Sequence, residues 1–167
     1  VRWAILAFGV LLTACGGGSD SISKTVQQAD LVVVDKSSSR LHLVANGKTL
    51  ATFNVAIGRE PQGHKTRQGD QRTPEGEYVL DAKNARSGYY KSIHISYPNA
   101  RDREFAKRAG LNPGGDIMIH GQRNGWGWFA WITQRFDWTD GCIALTNADM
   151  DAVWRAIDIG TPIRIDP

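Results

Sequence analysis

Cysteine is nearly missing from this chain: Cys15 and Cys142 are the only two among 167 residues. One thiol beyond the N-terminal stretch, with four scattered histidines, cannot supply the four closely paired ligands of a zinc site. Dense runs of Lys or Arg are also missing. The formal charge of +3 would ease approach to an anionic polymer without naming one, and nucleic acid is not expected as a partner. No apolar run approaches the roughly 20 residues that span a bilayer, and no internal repeat is present. What remains, 41% hydrophobic and 22% charged residues, is the composition of a soluble globular protein. Its length suits one domain with a real core.

The first residues read as an export leader. Arg2 precedes the short apolar run WAILAFGVLL, which fits a signal core rather than a membrane span. Leu12-Thr13-Ala14-Cys15 resembles the bacterial lipobox. That resemblance implies a lipoprotein signal peptide over 1–14, cleavage before Cys15, and thioether lipidation of Cys15. A plain secretory signal is the competing reading. Acyl chains contribute about 0.8 kcal/mol per buried methylene, so a multiply acylated Cys15 would anchor the protein to a membrane. Gly16 rather than aspartate follows, which favours the outer membrane in a host that has one. The protein is thus expected on the periplasmic side of the envelope. Residues 15–28, small and polar, are expected to form a flexible tether. With Cys15 acylated, Cys142 has no disulfide partner, and an unpaired thiol in an oxidising compartment needs a use.

From 29 to 167 one mainly β domain with two helices is expected. Leu31–Val34 and Leu41–Val44 read as strands, and the Asn46-Gly47 pair signals a type I′ hairpin turn leading to a strand over Thr52–Ile57. A further turn at Pro74 and Gly76 precedes another strand. Ser92–Tyr97 alternates, and Gly114–Gly121 reads as a short buried strand ending at His120. Asn99–Gly110 and Asn147–Gly160 have helical start and stop signals, with Asn147 as the expected N-cap. TPIRI reads as the last strand. Between His120 and Cys142 lies a segment with Trp126, Trp128, Trp131 and Trp138. It reads as a satellite cluster that pins the loop, and also as a wall whose aromatic faces could meet sugar rings.

The lone thiol admits three readings: inert filler, metal ligand or nucleophile. A nucleophilic cysteine needs its proton removed and the base oriented by a third group. His120 is the best placed histidine, with Gly121 allowing a main-chain carbonyl to receive its other ring proton. Gly141 would let backbone N–H groups point at a developing oxyanion. These residues alone leave nucleophile and inert packing nearly balanced, with metal behind.

His120-Gly121, the tryptophan-rich stretch and Thr139-Asp140-Gly141-Cys142-Ile143 together resemble the signature of the L,D-transpeptidase (YkuD-type) catalytic domain. The opening hairpin, Thr73-Pro74-Glu75-Gly76 and the closing helix and strand match it in order. The resemblance implies a β-sandwich-like fold and a Cys142 nucleophile. It makes His120 the base, Gly121 the backbone orienter and Gly141 part of the oxyanion hole, with no metal or cofactor. It further implies peptidoglycan stem tetrapeptides as substrate, with D-alanine released and a cross-link or exchange product formed. An L,D-carboxypeptidase, a hydrolase releasing peptidoglycan-attached protein, and a non-catalytic wall-binding lipoprotein are the alternatives. Two departures stand out: Asp140 replaces the usual histidine, and Ala144 replaces the usual Arg or Asn. His94, Thr139, Asp140 and Arg123 are the positions expected to touch substrate, with Arg72 and Arg135 as other replacements for the missing arginine. A monomer is expected.

Overall fold

The computed structural model describes residues 27–167. The expected signal peptide, Cys15 and nearly all of the expected tether lie outside the described residues. Alternation builds the first hairpin: β1 (Leu31–Asp35) buries Val32 and Val34, and β2 (Arg40–Ala45) buries Leu41 and Leu43. Asn46 and Gly47 take φ of 51° and 72°, the pair of left-handed values that a type I′ turn requires. β3 (Lys48–Asn54) therefore starts directly after the turn and ends earlier than the Thr52–Ile57 read from sequence. Val55, Ala56 and Ile57 leave the hairpin and run buried through the core.

β4 (Gly76–Asn84), β5 (Ser92–Ile95), β6 (Met118–His120), β7 (Ile143–Ala144) and β8 (Pro162–Asp166) complete one sheet in the order β3-β2-β1-β8-β4-β5-β6-β7. The mainly β domain expected from the sequence takes the form of a single curled sheet whose two ends are tied. Ala56 and Ala144 exchange backbone hydrogen bonds of 2.9 and 2.8 Å, and Gly58 bridges Thr139. Closure satisfies backbone groups that an open edge would leave unpaired. β6 and β7 run parallel, with Ile119 opposite Ile143 and His120 opposite Ala144. That register sets Cys142, just before β7, beside Met118 at the start of β6, on the strand that ends at His120.

Among the described residues three short α-helices form, one more than expected. α1 (Ala100–Ala109) opens on a capping box between Asn99 and Asp102 and closes on Gly110 at φ 66°. α2 (Ala130–Thr133) follows a 3-10 turn at Gly127–Phe129 inside the tryptophan-rich segment. α3 (Asn147–Ala156) is capped by Thr146, whose hydroxyl accepts from the Asp149 amide. Thr146 rather than Asn147 is the N-cap, because the Asn147 side chain is used elsewhere: its Oδ1 accepts from the Gln122 amide at 2.9 Å. Met150 and Val153 of α3 and Ile157 beyond it bury against the sheet.

Candidate active site

His120 and Cys142 border one cavity of about 470 Å³. The imidazole is buried, and its Nδ1 lies 2.7 Å from the Gly121 carbonyl oxygen. A carbonyl can only accept, so Nδ1 carries the proton and Nε2 keeps its lone pair. Tyr89 lies against the ring at 4.6 Å between centroids, and Trp138 meets it edge-on at 6.0 Å. The ring therefore has little freedom to turn.

Gly121 is required by close approach. A Cβ there would lie 2.6 Å from the Tyr90 carbonyl oxygen and 2.8 Å from Asn147 Oδ1. Its own N–H donates to Tyr90 at 2.9 Å, which holds the carbonyl that orients His120. Gly141 has φ 125°, and a Cβ there would lie 2.5 Å from the Arg72 carbonyl oxygen, so a side chain would push the cysteine turn outward.

The turn before Cys142 is fixed by Thr139. Its buried hydroxyl donates to the Cys142 carbonyl at 2.7 Å and accepts from the Gly141 N–H at 3.1 Å. This corrects the expected role of Gly141: its amide is already engaged and does not point at an oxyanion. It also makes the Thr139 hydroxyl a positioning group facing into the turn. The α3 N-terminus meets the Gly121 loop through Asn147.

The Cys142 Sγ–H donates to the Asp116 carbonyl at 3.6 Å. Burial pushes this thiol above its ordinary range, with the Asp140 and Asp116 carboxylates adding to the rise; the Met118 amide and the Lys65 ammonium oppose it. Burial pushes His120 below its ordinary value against the pull of the Gly121 hydrogen bond. At neutral pH the two groups rest as a neutral thiol and a neutral imidazole.

The other expected substrate residues are placed unevenly. Asp140 borders the cavity and pairs with Arg59 at 3.4 Å. His94 does not border it: its Nδ1 lies 2.6 Å from Asp81 Oδ1, in a separate surface depression. Arg123 is exposed and reaches the site only through its backbone bridge to Tyr89. Arg135 stacks over Trp131 at 5.8 Å, and the Arg72 guanidinium lies beside Gly63. The cationic residue that does border the cavity is Arg59, which sequence reasoning missed. Gly58 was the available signal, because a Cβ there would lie 2.2 Å from the Gln71 carbonyl oxygen; a glycine ending an apolar strand marks such an approach. Tyr89 and Asp116 were missed with no such signal.

The tryptophan-rich segment divides in two. Trp138 packs on the site, whereas Trp126, Trp128 and Trp131 are 54%, 72% and 62% exposed. The expected satellite cluster is thus corrected to an exposed group joined edge-to-face through Phe129. Buried Gln122 latches the segment, accepting from Thr133 at 2.7 Å and donating to Leu145 at 2.7 Å.

A larger cavity, about 730 Å³, lies at His64, Asp102 and Phe105. His64 Nδ1 accepts from the Glu75 amide at 2.9 Å, and its Nε2 lies 3.1 Å from Asp102. His42 contacts Thr52 across β2 and β3 at 2.9 Å. Among the described residues no group of three or more His, Cys, Asp or Glu is arranged to hold a metal ion.

Residues 29–165 match the family model YkuD, L,D-transpeptidase catalytic domain. Over 97 residues, 57% of this chain and 32% of the relative, the chain is 39% identical to the Escherichia coli (strain K12) protein named "Putative L,D-transpeptidase YafK". It therefore spans about a third of the length of that relative. The helical cell shape determining protein Pgp2 from Campylobacter jejuni is similar in structure, with TM-score 0.59 and 26% identity over 81% of this chain and 46% of that one. An L,D-transpeptidase from Xylanimonas cellulosilytica shares the fold, with TM-score 0.55 and 18% identity over 83% and 61% of the two chains. The chain belongs to the L,D-transpeptidase (YkuD) catalytic-domain family.

Proposed function

We propose that the chain is a peptidoglycan L,D-transpeptidase working through a Cys142 acyl-enzyme. The observation that carries the reading is a buried imidazole, locked through Nδ1, bordering the same cavity as the Cys142 thiol. His120 Nε2 takes the Cys142 proton as sulfur attacks the carbonyl at the L-centre of the diamino acid in a stem tetrapeptide. Proton transfer concerted with attack suits two groups that burial keeps neutral. The carbonyl oxygen becomes an oxyanion, to which the Cys142 N–H is free to donate, whereas the Gly141 amide is engaged. The bond to the terminal D-alanine breaks, the imidazolium returns its proton to the departing amine, and a thioester remains on Cys142. An amine from a second stem then attacks, His120 accepts its proton, and the proton returns to sulfur as the cross-link leaves. Water in place of the amine gives the tripeptide.

Export and anchoring belong to the same proposal. Leu12-Thr13-Ala14-Cys15 supports a lipidated Cys15, which would hold the domain on the periplasmic side of the envelope at the outer membrane.

The test is mass spectrometry of purified tetrapeptide muropeptides incubated with the protein, beside Cys142→Ala. Dimers with loss of D-alanine, absent in the variant, are the expected result. Tripeptide monomers alone, with acceptor present, would make the protein a carboxypeptidase. Protein set free from protein-bearing sacculi would make it a releasing hydrolase. Saturable binding to sacculi with neither product nor adduct would leave a wall-binding lipoprotein and overturn the acyl-enzyme.

A further inference from the structure

We propose that Trp126, Trp128 and Trp131 form a platform for the glycan strand of peptidoglycan, distinct from the cavity that Cys142 and His120 border. The proposal rests on the reading of peptidoglycan as the substrate, but what it adds is a carbohydrate-binding surface that acyl transfer does not itself require.

Nine large hydrophobic side chains are exposed among the described residues, and four of them, Trp126, Trp128, Trp131 and Phe136, fall between positions 126 and 136. Single exposed apolar residues are ordinary, whereas a contiguous group marks a contact surface. The three indoles stand around Phe129, with centroids 6.4, 5.1 and 6.3 Å from its ring and planes inclined at 83°, 72° and 62°. Among the described residues no aromatic ring stacks face to face on any of them, and the Arg135 guanidinium lies over Trp131 alone.

The backbone beneath is built, not slack. Asn124 donates from its amide to the Gly88 carbonyl at 3.2 Å and from its side chain to the Ser87 carbonyl at 3.0 Å. At the far end Gln134 Nε2 donates to the Ala144 carbonyl at 3.2 Å. In between, a Cβ on Gly127 would lie 2.6 Å from Asn147 Nδ2, so the 3-10 turn sits directly on the start of α3. Ordering a segment costs conformational entropy. Here the order holds large aromatic rings out in water, where folding gains nothing from them.

The setting selects the occupant. Both ends of the segment reach the cavity: Arg123 bridges Tyr89, which borders it, and Trp138 borders it too. A stem peptide seated at Cys142 hangs from a glycan strand, which must then run outside the cavity and past its rim. The apolar face of a pyranose presents C–H groups to the electron-rich face of an indole, while its hydroxyl rim stays in water. Arg123 and Arg135 are the only charged residues between 121 and 136. With no carboxylate there, the patch also favours the carboxylates that stems carry along such a strand. A lipid surface suits the rings and the arginines, but it would press on the segment that frames the cavity and close the route by which a stem enters.

Titration of the full chain with glycan strands stripped of their stem peptides, followed by tryptophan fluorescence, tests the platform. Saturable binding is expected, with the indoles of the parent protein shielded from acrylamide quenching at saturation. Replacing both Trp128→Ala and Trp131→Ala should weaken that binding about tenfold or more, with the circular dichroism spectrum unchanged. Free stem tetrapeptide should not displace the strands. The platform is overturned by an absence of binding, by binding that survives the double replacement, or by displacement with the free peptide. It is equally overturned if the tryptophans serve anionic phospholipid vesicles or self-association, and not glycan. Turnover of muropeptides by a protein that ignores bare glycan would sink the platform and keep the transfer reading, whereas glycan binding by a protein that never releases D-alanine would do the reverse.

Discussion

His64 and His120 sit at two cavities of one curled sheet, and their ring nitrogens are spent differently. His64 looks the more catalytic on paper: it contacts a buried carboxylate, Asp102, in the larger cavity. Yet its Nδ1 accepts from the Glu75 amide, and Asp102 also accepts from the Tyr78 hydroxyl and the Asn99 amide. Both ring nitrogens of His64 and both carboxylate oxygens of Asp102 thus have partners, and no cysteine borders that cavity. His120 has only a backbone carbonyl for its Nδ1–H, which leaves Nε2 without a partner among the described residues, at the cavity that Cys142 also borders. On the proposed reading, what sets His120 apart is a free Nε2 at the cavity that Cys142 borders, not burial, a carboxylate partner or cavity size.

The largest effects should break this comparison cleanly. Cys142→Ala or His120→Gln should lower turnover of muropeptides at least about a thousandfold, with the circular dichroism spectrum unchanged. His64→Gln should stay within a fewfold of the parent in the same assay, and a loss as deep as that of His120→Gln would show that the far network takes part in chemistry.

Stability should show the reverse pattern. Asp102→Ala leaves a tyrosine hydroxyl, a helix N-cap amide and an imidazole N–H without their acceptor. A loss of about 3 kcal/mol in denaturant unfolding is expected, with kcat little changed in the protein that remains folded. Gly121→Ala should cost about 1–3 kcal/mol through overpacking against Tyr90 and Asn147. Because the same clash displaces the carbonyl that orients His120, its kcat should fall as well, which separates it from Asp102→Ala.

pH sharpens the contrast further. The folded His120 resists protonation, so the unfolded chain binds more protons below about pH 6.5, and stability is lost as pH falls below that value. The folded Cys142 resists ionisation, so the unfolded chain loses its proton first, and stability is lost as pH rises through the ordinary thiol range. Alkylation of Cys142 in the free protein should accordingly climb only above the range of an exposed thiol, and rapid alkylation at pH 7 would point to a preformed thiolate instead. The smallest effect belongs to Trp128→Ala: at 72% exposure it should change unfolding by less than about 0.5 kcal/mol.

Legibility in the sequence was uneven, for physical reasons. The Asn46-Gly47 turn, the Asn99 start and Gly110 stop of α1, and the strand ending at His120 were readable because each depends on near neighbours. Asn147 was misread as a cap because a threonine and an asparagine adjoin, and only the Gln122 amide across the fold decides which one is free. His94 alternates correctly with Ile93 and Ile95, yet alternation names a face and not a position along it; its ring ends at Asp81. The single exposed group of tryptophans could not be told from a buried one, since composition does not say which aromatic finds a partner.

The sequence by itself determined seven of the eight strands, two of the helices, the thiol of Cys142 and the glycines that let backbone approach backbone. These follow from side-chain period, φ preference and residue chemistry, all acting within a few positions. Only the tertiary structure decided that the sheet curls until Ala56 meets Ala144, 88 residues apart, bringing Arg59 to the mouth of the Cys142 cavity. It also decided that Thr139 takes the Gly141 amide and that His120 keeps its Nε2 free at the cavity that Cys142 borders. Those outcomes depend on which distant groups claim each donor and acceptor once the edges close, and no local pattern encodes that competition.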